Sequence, residues 1–171
     1  WEQRKLGEVV EIRRGLTYKP SDISESGVRV LRSSNIDEDK FVISAEDVFV
    51  KDTAINITPI KDGDILVTAA NGSSRLVGKH AIVRDVSNGV TVHGGFMLAI
   101  TYPNPYFLNA SMSSNWYSKF IKLFVSGGNG AIGNLSKSDL ENQNILLPTL
   151  PEQKAIGAFF RQLDELLTLH Q

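Results

Sequence analysis

Cysteine is absent from the 171 residues, which removes disulfides, thiolate zinc sites and cysteine nucleophiles together. Histidine is scarce: His80, His93 and His170 lie far apart, so a histidine-rich metal site is not expected. No stretch approaches the roughly 20 consecutive apolar residues of a helical membrane span, and no membrane partner is expected. The first residues lack both a basic n-region and an apolar h-region, and they begin at Trp1 rather than Met. The chain therefore reads as an excised piece of an intracellular, cytoplasmic protein.

What is present suffices for a sizeable core. At 42% hydrophobic and 22% charged residues, the length fits one domain, or one domain with a short appendage. The net charge of −1 argues against a generally basic phosphate binder, but its distribution is uneven. Residues 1–32 carry +2, residues 37–64 carry −5, residues 65–138 carry +5 and residues 139–171 carry −3. A neutral total with a basic middle is compatible with one basic face.

The first hundred residues read as short strands. Apolar or β-branched runs occur at 6–12, 28–31, 41–43, 48–50, 65–68, 80–84 and 90–101. Asn71-Gly72 and Asn88-Gly89 are tight-turn dipeptides, because both residue types tolerate positive φ. Without alternating helices a doubly wound fold is excluded, and a curled, mostly antiparallel sheet is predicted. Asn104-Pro105 predicts a helix start capped by Asn104 and ended by Gly127. Along it Leu108, Met112, Trp116 and Phe120 recur every fourth position, which is core spacing. Ser136 and Asp139 have capping-box spacing before a very short helix, and 145–148 reads as a strand. Thr149 and Glu152 repeat the capping signature ahead of a final helix. Ile156, Phe159, Phe160, Leu163, Leu166 and Leu167 form its apolar seam, which calls for a partner helix or for its own domain.

Chemistry-bearing patterns are few. Gly128-Asn129-Gly130-Ala131-Ile132-Gly133 matches the dinucleotide fingerprint, but it follows a long helix instead of a strand, so a Rossmann site is rejected. The loop is better read as Gly-rich backbone able to approach a phosphate or a base. Asn71-Gly72-Ser73-Ser74-Arg75 lacks a nucleophile elbow, and His93 beside Gly94-Gly95 reads as structural. The carboxylates Asp37, Glu38, Asp39, Asp62 and Asp64 read as solvated turn residues. Neither base nor nucleophile is visible, so catalysis is not expected. What remains is polar loop chemistry beside basic residues, at 13–19, 32–35 and 71–80. Arg and Lys donate to guanine or phosphate, Asn binds adenine, and Ser or Thr serves either purpose.

Several segments together resemble a known family. Trp1-Glu2-Gln3-Arg4-Lys5-Leu6-Gly7-Glu8-Val9, followed by Arg14-Gly15-Leu16-Thr17, looks like the start of a target recognition domain. The family is the DNA specificity subunit of type I restriction-modification enzymes. Val30 to Ile36 and Lys61 to Val67 support the resemblance. Its most distinctive stretch is Leu147-Pro148-Thr149-Leu150-Pro151-Glu152-Gln153-Lys154-Ala155-Ile156, similar to the family's junction between recognition domain and spacer helix. The likeness covers essentially the whole chain. It implies a division into a recognition domain, 1–148, and the start of a spacer helix, 149–171.

In that family two recognition domains each read half of a split duplex target. The spacer helices pack antiparallel and dock methyltransferase subunits, and the specificity subunit is not catalytic. The resemblance implies no cofactor in this chain, with S-adenosylmethionine, ATP and Mg2+ belonging to partner subunits. Implied partners are double-stranded DNA, methyltransferase subunits, restriction (endonuclease and translocase) subunits, and a second recognition domain or second copy through the spacer helix. The overall prediction is an α+β DNA-recognition component with a packing helix and a C-terminal helix leaving the body. Expected DNA contacts are Arg13, Arg14, Thr17, Tyr18, Lys19, Arg32, Ser33, Ser34, Asn35, Asn71, Ser73, Ser74, Arg75, Lys79, Asn129 and Lys137. Expected partner-helix contacts are Ile156, Phe159, Phe160, Leu163 and Leu167. The alternative is a protein-interaction module acting through the C-terminal helix alone. Recognition loops vary greatly within the family, so the half-site and the methylated base do not follow from the resemblance.

Overall fold

Strands do dominate the first hundred residues, interrupted wherever Gly, Asn, Asp or Ser frees the backbone. The structure, a computed structural model, describes residues 1–125 and 133–170. In chain order the strands are β1 (Glu2–Lys5), β2 (Glu11–Arg14), β3 (Ile23–Ser24), β4 (Val28–Leu31), β5 (Ile36–Asp37), β6 (Lys40–Phe41), β7 (Val48–Val50), β8 (Ile65–Thr68), β9 (His80–Ile82), β10 (Thr91–His93), β11 (Met97–Thr101) and β12 (Asn144–Leu147). The helices are α1 (Leu6–Val9), α2 (Pro105–Met112), α3 (Asn115–Phe124), α4 (Lys137–Glu141) and α5 (Leu150–Leu169).

The fold is α+β and mostly antiparallel, as predicted, with the strands shared between two four-stranded sheets and two two-stranded ones. One four-stranded sheet runs β2-β11-β8-β9 and is antiparallel throughout. The other runs β10-β4-β7-β3, with β10 parallel to β4. Strands β8 and β11 are buried on both faces, which is why they read as unbroken apolar runs. Ile65, Val67, Leu98 and Ile100 pack under α2 and α3 with Leu108, Met112, Tyr117 and Phe120. From the opposite face Leu66, Met97 and Ala99 join Leu31, Ile36, Ile60 and Val83. A third cluster, Leu16, Val28, Val30, Val50 and Val92, fills the second sheet.

Four predicted details differ. The run 6–12 is not one strand: Leu6 N–H donates to the Gln143 carbonyl, and a helical turn drops Leu6 into the core before β2 begins. The run 90–101 breaks at Gly94-Gly95, where the chain passes from one sheet to the other. The helix expected from 105 divides at Ser113-Ser114, whose hydroxyls donate to the Asn109 and Ser111 carbonyls and compete with the helical ladder. Gly72 and Gly89 do not adopt positive φ; among the described residues that conformation falls to Gly27, Gly63, Gly78, Glu38 and Asp85. The expected stop at Gly127 lies outside the described residues.

At the C-terminal side the capping readings hold. Ser136 Oγ accepts from the Asp139 amide at 3.2 Å. Glu152 accepts from the Thr149 amide at 2.7 Å and from its hydroxyl at 2.9 Å. Strand β12 pairs antiparallel with β1 and delivers the chain to α5, whose first two turns lie on α2. There Gly157 is required, since a Cβ would stand 3.0 Å from the Phe107 amide nitrogen and 3.2 Å from Tyr106 Cβ. Among the described residues no helix is long and apolar enough to cross a membrane.

Candidate nucleic-acid interface

The turn Gly94-Gly95-Phe96 joins β10 to β11 and gathers three other segments around it. The Gly94 amide donates to the Leu31 carbonyl at 2.8 Å, which places the end of β4 alongside. The Leu16 amide donates to the His93 carbonyl at 2.7 Å, which brings in the segment after β2. The Phe96 carbonyl accepts from both the Ala69 and Ala70 amides, at 2.8 and 3.0 Å, and so holds the start of the 71–79 loop. Gly15 lies so close to Gly94 that a side chain there would overlap the Gly94 carbonyl oxygen. Part of the Arg14-Gly15-Leu16-Thr17 signature is thereby explained: Gly15 lets two backbones touch.

The predicted polar loops are tied together at this place. Asn71 Nδ2 donates to Ser33 Oγ at 3.0 Å, and Asn71 Oδ1 accepts from the Ser73 amide at 2.9 Å. Lys79 reaches Asp39 at 3.8 Å, a second link between the 71–79 loop and the segment after β4. Arg14, Thr17, Lys19, Arg32, Ser34, Ser74 and Arg75 are exposed, whereas Tyr18, Ser33, Asn71, Ser73, Lys79 and Lys137 are half-buried. Asn134 forms an antiparallel bridge to Ala70, so the segment leading to α4 borders the same loops. Lys137, at the start of that helix, is 3.4 Å from Glu141. Asn129 lies outside the described residues.

Two expected contacts face inward. Arg13 Nη2 donates to Asp64 at 2.8 Å, and its Nη1 reaches the Pro59 carbonyl at 3.2 Å. This guanidinium fastens β2 to the loop before β8 and is not a loop-face cation. Asn35 is 1% exposed, and its amide donates to the Val42 carbonyl and to Asp47 while its oxygen accepts from the Arg32 amide. Asp47 is also 3.1 Å from Arg29, so Asn35 belongs to a buried brace behind the loop. Asp64 corrects the reading of solvated carboxylates: it is buried and accepts from Arg13, the Lys61 amide and the Thr101 hydroxyl.

His93 is fully buried and donates from Nε2 to the Arg13 carbonyl at 3.0 Å. Burial pushes its imidazole below the ordinary histidine range, with the Arg13 carbonyl opposing. His80 is buried likewise, donates from Nδ1 to Asn109 at 2.7 Å and meets Tyr117 edge to face. No cluster of three or more metal-ligating side chains occurs among the described residues. The basic middle of the sequence is divided in space: Arg75 and Lys79 sit with the loops, whereas Arg84 lies over the Tyr106 ring.

Phe96 escaped the sequence reading, because it lies inside an apolar run that looked like one strand. The residue is 74% exposed, on the turn that gathers the loops. The available signal was the Gly94-Gly95 pair breaking that run.

The predicted seam of α5 is largely uncovered. Ile156 is half-buried, whereas Phe159, Phe160, Leu163, Leu166 and Leu167 are exposed. Inward-facing Gln153 anchors the helix instead. Its Oε1 accepts from the Tyr102 hydroxyl at 2.7 Å and from Asn104 at 3.1 Å, and its Nε2 donates to the Pro148 carbonyl at 3.0 Å. Asn104 is thus committed to Gln153 and does not cap α2 with its side chain.

Two sheets thus present a surface of polar loops from three segments gathered at one turn, an arrangement of the macromolecular-recognition class. Comparison with known proteins makes the assignment specific. The sequence model of the type I restriction modification DNA specificity domain matches residues 1–171, and the chain belongs to that family. It is 28% identical over 98% of its length to the type I restriction enzyme StySPI specificity subunit of Salmonella potsdam. It is 26% identical over 99% to the MjaVIII specificity subunit of Methanocaldococcus jannaschii. It spans 36% and 40% of those two relatives. Among solved structures, a chain from a type I restriction-modification system described for its complex assembly and conformational transition superposes with a TM-score of 0.70 at 18% identity. That match covers 99% of this chain and 39% of the other. The HsdS subunit of Thermoanaerobacter tengcongensis superposes at 0.63 and 18% identity, over 99% and 38%.

Proposed function

We propose that this chain recognises a short duplex DNA sequence as the specificity component of a type I restriction-modification enzyme, reading half of a bipartite target. The observation that carries this is the convergence of the 15–19, 32–35 and 71–75 loops on one turn, which makes a single surface of donors and acceptors. The relatives are named specificity subunits, and the part assigned here is recognition rather than catalysis. On the gathered face, exposed Arg14, Lys19, Arg32 and Arg75 would hold phosphates or read guanine, and Thr17, Ser33, Ser34, Asn71, Ser73 and Ser74 would contact base edges. Asn129 is kept as a candidate by its sequence alone.

Residues 1–148 form the recognition body in this reading, and α5 begins the spacer. Its uncovered apolar face would pair with the helix of a second recognition domain or a second copy, beside methyltransferase and restriction subunits. S-adenosylmethionine, ATP and Mg2+ would serve those subunits, in the cytoplasm.

Selection from a randomised duplex pool at two salt concentrations, with the chain mixed with its methyltransferase subunits, tests the proposal. Enrichment of one motif that Arg75→Ala loses or relaxes is the expected result, at a cost of about 1–3 kcal/mol at one base position. Retention without enrichment would reduce the function to backbone binding. No retention at either salt, with subunit binding intact, would leave an interaction module only.

A further inference from the structure

We infer that Phe96 is a specificity-determining residue, whose ring packs on the 5-methyl group of thymine in the major groove. The inference rests on the DNA-recognition reading above and names a contact within it. A single exposed phenylalanine is ordinary on protein surfaces, so exposure alone carries little. Its setting decides the matter. The Phe96 carbonyl accepts two backbone amides, Met97 closes the turn by donating to the Gly94 carbonyl at 2.9 Å, and Gly94 itself is fastened to Leu31. The backbone beneath the ring is therefore fixed to both sheets, although the residue is 74% exposed.

Phe96 is neither a core residue nor the tip of a loosely held loop. The preceding residue, Gly95, is exposed and lies against Thr17, where a Cβ would stand 3.4 Å from the Thr17 hydroxyl. Around the turn stand Thr17, Ser33 and Asn71, whose hydroxyls and amide suit base edges lying side by side. Among those edges the major groove offers one apolar group, the thymine methyl, and a phenyl ring matches it. Fixing the backbone beneath the ring before binding also limits the entropy lost on contact.

The test begins with the motif enriched from the pool by the chain and its methyltransferase subunits. Phe96→Ala is expected to weaken binding to that duplex on the order of tenfold, while Phe96→Leu retains most of it. Replacing thymines of the motif singly by deoxyuridine should identify one position where wild-type affinity falls about fourfold, the worth of one methyl group. At that position the Phe96→Ala protein should be indifferent to the change. Unaltered melting of Phe96→Ala would show that only binding had changed. A motif without thymine, uniform tolerance of deoxyuridine, or a Phe96→Ala protein that binds like wild type would overturn the inference and leave sequence recognition standing. A wild-type protein that retains no duplex would remove both.

Discussion

Arg13, Asn35 and His80 show how side chains of the kind that binds ligands are spent inside the fold. Breaking the partly buried Arg13–Asp64 pair from one side strands the other charge, so Asp64→Ala should cost about 3–5 kcal/mol in urea unfolding. Asn35→Ala should cost roughly 2 kcal/mol, since it leaves several buried hydrogen bonds without partners. If Asn35→Ala instead melted like wild type while changing the enriched motif, Asn35 would be a reader after all. His80 has a pH consequence. Burial lowers its pKa, opposed by Asn109, the Met112 backbone and Asp39 and aided slightly by Lys79, so the folded state holds it neutral. The unfolded chain begins to take up the proton as pH falls through about 6.5, the folded chain only lower. Stability is therefore undiminished above that pH and declines below it, by up to about 1.4 kcal/mol per pH unit for each histidine so held. Urea midpoints at pH 7.5 and 5.5 should differ, and His80→Gln should reduce the difference; equal midpoints in wild type would refute the account. None of this was legible beforehand, because an arginine ending a strand looks the same whether its partner is a phosphate or Asp64.

Among the elements, local chemistry was legible at two helix starts but not at Asn104, Gly72 or Gly89, whose expected cap and positive-φ turns do not form. The caps at Ser136 and Thr149 act within four residues, and β8 was visible as an unbroken apolar run because both its faces are buried. The division of α2 from α3 was missed because Leu108, Met112, Trp116 and Phe120 keep helical spacing across it. Two serines override that spacing through bonds of their own. Helix α5 combines both cases. Its start was visible in Thr149 and Glu152, but the reason for Gln153 emerged only with Tyr102, Asn104 and Pro148 around it. Gln153→Ala is expected to cost about 2–3 kcal/mol and to raise amide exchange in the first turns of α5. Unchanged exchange there would mean that packing at Gly157 holds the helix alone.

For the whole molecule, the loop surface and the uncovered face of α5 stand on different elements, so they should fail separately. The double substitution Phe160→Glu and Leu163→Glu is expected to abolish helix-mediated association in sedimentation and to leave duplex selection by the recognition body intact. Loss of selection as well would show that the two faces act as one. Strand β1 lies against β12, with Glu2 opposite Leu147, two residues before the Thr149–Glu152 cap of α5. Residues 2–5 and 144–147 thus meet at one edge of the fold, next to the start of α5. The loops could be exchanged for another set without displacing α5, whose anchors Tyr102, Asn104 and Phe107 lie outside them. In the reading proposed above, a different set of loops would inherit the same helix joint, so that what the surface binds can change while what the helix meets does not.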